Sequence, residues 1–421
     1  MIFLGRSLST VGSRRVAARP GLGLAVGVGV ALSALAGTSA LCRERGSEPL
    51  DSRAGLVPRA DKGALGSGAV VVDGSGGSRF QLELRRPLSK GSFGTVCAAH
   101  SPELGELAVK VVQLSAETRE VVDAELSALE RITARGGHDN VVKFRAALTR
   151  SRHSGALLGA PRLLSGRSLT TAAADRAAEP AQAPQQAPQQ APQQAPQQDQ
   201  AMEQLMVFEL IDGAELYERV AKEGPLPLQE AKAIVLQLAR ALRFLHHDCQ
   251  LAHGDIKPEN VLIEWRTGAA KLVDFGSAVP VSPAGELLCA PGARARIGTV
   301  AYCAPELYRD ESVRLTPAID VFSLGCLLYV CVAGQHPFDP DGVRSDSGVS
   351  RAILHDEPSF EGEHWERHAT LKALLQRMLD KDPAKRISAR EIVELLESSG
   401  PGASFSKPSA PARAPAPAPA A

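Results

Sequence analysis

Aromatic side chains are scarce, at 4% of the 421 residues, with two Trp and four Tyr. Excess charge is absent, because 47 Lys and Arg balance 47 Asp and Glu. Without a basic balance there is no electrostatic footprint for nucleic acid, and no such partner is expected. Metal-binding spacing is lacking too. The seven cysteines (42, 97, 249, 289, 303, 326 and 331) form no CxxC or Cys/His pattern, and their number is odd. They read as reduced, mostly buried thiols of an intracellular compartment rather than a disulfide framework. The ten histidines show no ligand spacing, and His246, His247, His364 and His368 read as surface positions. No EF-hand loop occurs, and no acid precedes Glu44.

That acid-free start carries Arg6, Arg14, Arg15, Arg19 and Arg43 among Ser7, Ser9, Thr10 and Ser13. Residues 1–43 read as a targeting peptide or membrane anchor. A mitochondrial or plastid transit peptide, an anchor through 21–41, a signal peptide ending near Thr38-Ser39-Ala40 and plain disorder all stay open. Residues 44–78 are polar and Gly-rich and read as a disordered linker. Phe80–Leu84, Thr95–His100 and Glu106–Val112 carry strand patterns, and Thr118–Thr133 has helical spacing with Val121, Val122, Leu126, Leu129 and Ile132 on one side. An insert at 151–201 holds four Ala-Pro-Gln-Gln units (183–198), which can bury no core. Gln204–Leu210 reads as a buried strand. Gln229–His247, Ala318–Val332, Leu371–Leu379 and Ala389–Leu396 read as helices, and 398–421 as a disordered Pro/Ala tail.

Chemistry concentrates in two places. Residues 253–260 read His-Gly-Asp-Ile-Lys-Pro-Glu-Asn, and Asp274-Phe275-Gly276 follows fourteen residues after Asn260. An acid, a nearby lysine, an amide and a second acid are what phosphoryl transfer needs to gather a hydroxyl, a γ-phosphate and Mg²⁺.

With Leu88-Ser89-Lys90-Gly91-Ser92-Phe93-Gly94-Thr95-Val96, Leu107-Ala108-Val109-Lys110 and Gly298-Thr299…Ala304-Pro305-Glu306, these motifs resemble those of a eukaryotic-type protein kinase of the Ser/Thr class. Within it they look like the calcium/calmodulin-dependent kinase-like group. The resemblance covers about three-quarters of the chain, from Phe80 to Glu397. It implies an α+β, two-lobed fold over 79–397. The N-lobe (79–208) would be β-rich and contain the insert, and the C-lobe (212–397) would be helical. It implies ATP and Mg²⁺ as cofactors and protein Ser/Thr hydroxyls as acceptors. Asp255 would be the catalytic base, Lys257 would stabilise the transferred group, and Asn260 and Asp274 would hold the metal. Lys110, oriented by Glu125, would contact phosphates. The Gly-rich loop (Leu88 to Val96), Ala108, Glu209, Ile211 and Glu215 would surround the nucleotide, with Phe208 as gatekeeper and Leu210 beside Ile211 in the purine pocket. Thr299 would touch Asp255 and Lys257. Glu215 and Glu259 would favour Arg-containing substrates. Asp320 would brace the catalytic loop, and Glu306 would pair with Arg386.

Three positions depart from the family pattern: Ser89 for a glycine, Gly254 for arginine and Phe322 for tryptophan. Gly254 implies activity independent of an activation-loop phosphate. The same departures are the support for the rival reading, a pseudokinase scaffold that binds nucleotide or partners without turnover. An adaptor acting through the 151–201 insert is a third reading. After Glu397 there is no basic amphipathic helix, so the resemblance does not imply calcium regulation.

Overall fold

Short apolar runs separated by turns pair in the first half of the chain into one antiparallel sheet. The computed structural model describes residues 69–73, 79–91, 94–152, 162–163, 202–289, 297–309, 313–361 and 363–398. The targeting or anchor segment 1–43, the Ala-Pro-Gln-Gln units, Ser92, Phe93 and the tail beyond Ser398 lie outside them. The strands are β1 (Ala69–Asp73), β2 (Arg79–Lys90), β3 (Thr95–Ser101), β4 (Gly105–Leu114), β5 (Phe144–Ser151), β6 (Arg162–Leu163) and β7 (Met202–Glu209). Their order across the sheet is β1-β2-β3-β4-β7-β5-β6.

Strand alternation divides this sheet into two faces. Leu107, Val109 and Val111 of β4 join Leu82, Leu84, Ala146, Leu148, Leu205 and Val207 in one apolar cluster. Ala108, Lys110 and Val112 point the other way. On that side Ala108 and Val112 pack with Met206, Phe208 and the helix α1 (Ala116–Ala134). Ser115 starts α1 through a reciprocal cap: its Oγ accepts from Thr118 N (3.2 Å), and Thr118 Oγ1 accepts from Ser115 N (2.9 Å). The helix buries Val122, Glu125, Leu126, Ala128, Leu129 and Ile132, so its 3.6-residue period aims one carboxylate at the sheet with the apolar side chains.

The second half is mainly helical. It comprises β8 (Gly213–Glu215), α2 (Leu216–Glu223), α3 (Leu228–Arg243), β9 (Leu251–Ala252), β10 (Val261–Glu264), β11 (Ala270–Leu272), β12 (Val279–Pro280), α4 (Ala318–Ala333), α5 (Asp346–His355), α6 (Glu363–Arg367), α7 (Ala369–Met378) and α8 (Ala389–Ser398). Helix α4 is buried nearly all round and forms the centre of this lobe. Among the described residues no helix is long and apolar enough to cross a membrane. The architecture is the α+β, two-lobed one.

Four sequence expectations need correction. The linker reading of 44–78 fails at 69–73, where Val70, Val71 and Val72 pair with Leu82, Gln81 and Phe80 of β2. A β-branched run bounded by glycines gains hydrogen bonds at a sheet edge without burying a helix face. The insert contributes β6, since Leu163 and Arg162 pair with Ala146 and Ala147. The helix expected over 229–247 is regular only to Arg243. Its last turn widens, with Cys249 N–H bonding Phe244 O five residues back (3.1 Å). This turn carries His246 inward, so His246 is not a surface residue: its side chain is 8% exposed. His247 is exposed and His368 half-buried. All six described cysteines are free thiols, five buried and Cys289 partly exposed.

Candidate active site

The cleft between the lobes is built from three backbone devices. Strand β4 delivers Lys110, α1 delivers Glu125, and the turn after β11 delivers Asp274. Lys110 Nζ donates to both Glu125 carboxylate oxygens at 2.8 Å and to Asp274 Oδ1 at 3.1 Å. Burial opposes the Lys110 ammonium, but Asp274 and Glu125 outweigh it and hold its pKa above the ordinary value. Burial likewise opposes the Asp274 carboxylate, and the neighbouring Lys110 overcomes it, leaving that pKa lowered. Asp274 has φ of +59°, a conformation that side chains rarely adopt, and Gly276 N–H reaches its Oδ1 at 3.3 Å.

The loop between β9 and β10 carries the other group. Asp255 Oδ1 accepts from Thr299 Oγ1 (2.8 Å), while Oδ2 meets Lys257 Nζ (2.8 Å) and Asn260 Nδ2 (3.0 Å). Lys257 Nζ also donates to Thr299 Oγ1 at 2.7 Å. The Thr299 hydroxyl therefore already donates to a carboxylate and accepts from an ammonium. Asn260 Nδ2 returns to Asp255 O (2.8 Å), fixing the loop on itself.

His253 is fully buried and spans this loop. Its Nδ1 accepts Asp255 N–H (3.2 Å), and its Nε2 donates to Val273 O (3.2 Å). Burial lowers its pKa, and with both nitrogens engaged it holds backbone rather than moving protons. Beneath it, Asp320 accepts from His253 N and Gly254 N, each at 2.8 Å, and from His246 Nε2 at 2.8 Å. Burial pushes against the Asp320 carboxylate, but the His246 bond and Gly254 N–H leave its pKa lowered. Sequence reasoning missed His246. Its partner lies 74 residues away, so no local pattern announced it.

In the Gly-rich loop, Gly91 N bonds Gly94 O (2.7 Å). Leu88, Ser89 and Gly91 are half-buried, Lys90 is exposed, and Thr95 and Val96 begin β3. Beyond the sheet, Phe208 and Ile211 are buried and Leu210 packs against the same core. The Glu209 carboxylate is occupied, accepting from Lys143 N (3.1 Å) and Lys271 Nζ (2.8 Å). Its side chain therefore holds the lobes' connection, which leaves backbone groups to face a ligand. Glu215 heads α2 as its N-cap residue. Glu259 lies in the catalytic loop, where burial raises its pKa and its Oε2 has no partner.

Residues 195–395 match the family described as "Protein kinase domain". Over that span the chain matches a protein kinase domain. A relative, "Serine/threonine-protein kinase PKZ1" of Phytophthora infestans, is 28% identical over 351 residues, 77% of this chain and 72% of that protein. "Calcium-dependent protein kinase 8" of Arabidopsis thaliana is 33% identical over 192 residues, 45% of this chain and 34% of its own length. "Protein kinase kin1" of Schizosaccharomyces pombe is 33% identical over 214 residues, covering 50% of this chain and 22% of that protein. The kinase family match begins inside the insert. The sheet residues that carry Lys110 therefore join the domain through the fold and through the longer PKZ1 alignment.

The donor set suits a hard divalent cation. Asn260 Oδ1 is buried and without a partner, and the Asp274 carboxylate is the other oxygen donor of this corner. Among the described residues no group of three or more His, Cys, Asp or Glu could hold a metal alone. Mg²⁺ is commonly held by one or two protein oxygens plus substrate phosphates, so this sparse set fits it.

Proposed function

We propose that this chain transfers the γ-phosphoryl group of ATP to Ser or Thr hydroxyls of protein substrates. The supporting observation is the bonded set Asp255–Lys257–Thr299 beside Asn260 and Asp274. Asp255 accepts the proton of the incoming hydroxyl; its oxygens already hold a hydroxyl, that of Thr299, in hydrogen-bond geometry. Lys257 places positive charge beside that acceptor. Lys110, kept charged by Glu125 and Asp274, binds phosphate oxygens. Asn260 and Asp274 would hold Mg²⁺, which would neutralise charge on the phosphates.

Two finer features belong to this proposal. Glu259, a buried carboxylate oxygen without a partner, selects Arg-containing substrates together with Glu215. Gly254 has no guanidinium to offer a phosphate, so activity does not depend on a phosphate–arginine contact. Against the scaffold reading, which rests on Ser89, Gly254 and Phe322, stand Lys110, Asp255, Asn260 and Asp274, all present and hydrogen-bonded. The test is phosphate incorporation from labelled ATP into a mixed Ser/Thr peptide library, beside Asp255→Asn. Incorporation abolished by the substitution is the expected result. Nucleotide binding without incorporation by the native chain would overturn the reading. Glu215→Ala and Glu259→Ala should weaken Arg-containing peptides selectively; equal loss on all peptides would refute that part.

A further inference from the structure

A phosphate switch of the usual kind needs two parts, an arginine and a hydroxyl to carry the phosphate. The arginine position holds Gly254. Between Asp274-Phe275-Gly276 and Thr299 the only hydroxyl side chains are Ser277 and Ser282, and 283–298 contains none. Ser282 Oγ is engaged in its own turn, accepting from Glu286 N (3.1 Å). Thr299 is bonded to Asp255 and Lys257. The arginine is therefore absent, and the hydroxyls of the segment are confined to its start, at Ser277 and Ser282.

What occupies their place is backbone. Gly254 has φ of +80°, and its N–H donates to Asp320 Oδ1 at 2.8 Å. A Cβ at Gly254 would overlap the Ser277 carbonyl oxygen. Gly298, at φ +78°, lies against the Gly254 carbonyl. A Cβ there would stand 2.8 Å from Gly254 O and 3.0 Å from Cys303 Sγ. Ser277 follows the Asp274 turn and Gly298 precedes Thr299, so Gly254 sits between the two ends of one segment. Carbonyl oxygens cannot swing aside as a flexible side-chain tip can, so an added carbon must displace the peptide next to Asp255.

We propose that Gly254 is a positioning residue: its bare backbone keys the catalytic loop into both ends of segment 277–298, in place of an arginine–phosphate contact. The inference rests on the kinase reading and adds a consequence to it. Restoring the family's arginine at 254 does not install phosphate control; it damages the loop.

The experiment uses the full chain as native protein, Gly254→Ala, Gly254→Arg, Gly298→Ala and the 254/298 double alanine variant. Each is assayed with and without phosphatase treatment. Turnover is expressed per ATP-binding site, so unfolded protein does not count. The expected result is at least a tenfold fall in kcat for Gly254→Ala and Gly254→Arg. KM for ATP should stay within twofold, because Lys110 and Glu125 lie on other elements. Phosphatase should change no rate. The double variant should lose no more than the worse single one, because both carbons wedge the same junction. Unchanged kcat in Gly254→Ala, multiplicative losses in the double variant, or phosphatase-sensitive activity of Gly254→Arg would each overturn the proposal. Should Gly254→Arg fail to fold, the alanine variants decide. An inactive native chain would instead sink the kinase reading, a separate failure.

Discussion

Two buried ion-pair sites in this protein are each built round one cation and do different work. In the cleft, Lys110 meets Glu125 and Asp274, with side chains 18%, 4% and 17% exposed. In the helical lobe, Arg386 meets Glu306 at 2.6 and 2.9 Å with both side chains fully buried. Arg386 spends its remaining donors on Ala318 O and Asp380 O (both carbonyls within 3.0 Å). Every partner of that guanidinium is internal, so the pair can only hold structure. The cleft set keeps a route to solvent and one cation shared between two acids. A charged ligand can take part in it. Burial alone does not separate function from scaffold; unspent bonding capacity at an open edge does.

The comparison can be broken from either side. Asp255→Asn, at the cleft, should lower kcat by about 10²–10⁴ with little change in melting temperature, since general-base losses are of this size. Arg386→Met should do the reverse. Leaving Glu306 buried and unpaired costs about 3–5 kcal/mol of stability, while turnover per folded molecule stays near native. Denaturant titrations beside rate measurements check both, and equal stability loss in the two variants would remove the distinction.

The third way concerns pH. Burial pushes the His336 imidazole down to about 4, with Asp339 only partly opposing. The unfolded group titrates near 6.5. A depressed folded pKa means the unfolded chain binds the extra proton first, so this stability is present above about pH 6.5 and lost as pH falls toward 4. The loss is about 3 kcal/mol if the group stays neutral throughout the folded state. Urea midpoints at pH 7 and 4.5 should fall further apart in the native protein than in His336→Gln. The smallest expected effect is Asn260→Ala. Its unpartnered Oδ1 suits a cation, and its loss should raise the Mg²⁺ needed for half-maximal rate about tenfold, or about 1.4 kcal/mol. An unchanged Mg²⁺ requirement would argue that Asn260 serves only to tie the loop to Asp255.

Much of the site was legible in the chain because its parts are local. Asp255, Lys257 and Asn260 lie within one loop, and the apolar period of α1 places Glu125 among buried residues whatever the helix packs against. The strand period of β4 similarly separates Lys110 from Leu107 and Val109. Other features had no local signal. His246 reads as one of two polar residues near a helix end, and only the widened turn carries it to Asp320. The strands at 69–73 and 162–163 look like parts of a linker and an insert until β2 and β5 offer edges to pair with. Helices α2 and α6 are short, and a run of five to eight residues shows too few periods to stand out.

The sequence by itself determined which side chains could do chemistry, in what order they come and which family they resemble. Those are matters of residue type and short spacing. Tertiary structure alone decided that Lys110 shares its charge between Glu125 and Asp274, 15 and 164 residues away. It alone decided that Thr299 closes on Asp255 and that Gly254 lies between Ser277 and Gly298. Contacts between distant segments depend on how two faces dock, and the sum of packing over the whole core selects that docking.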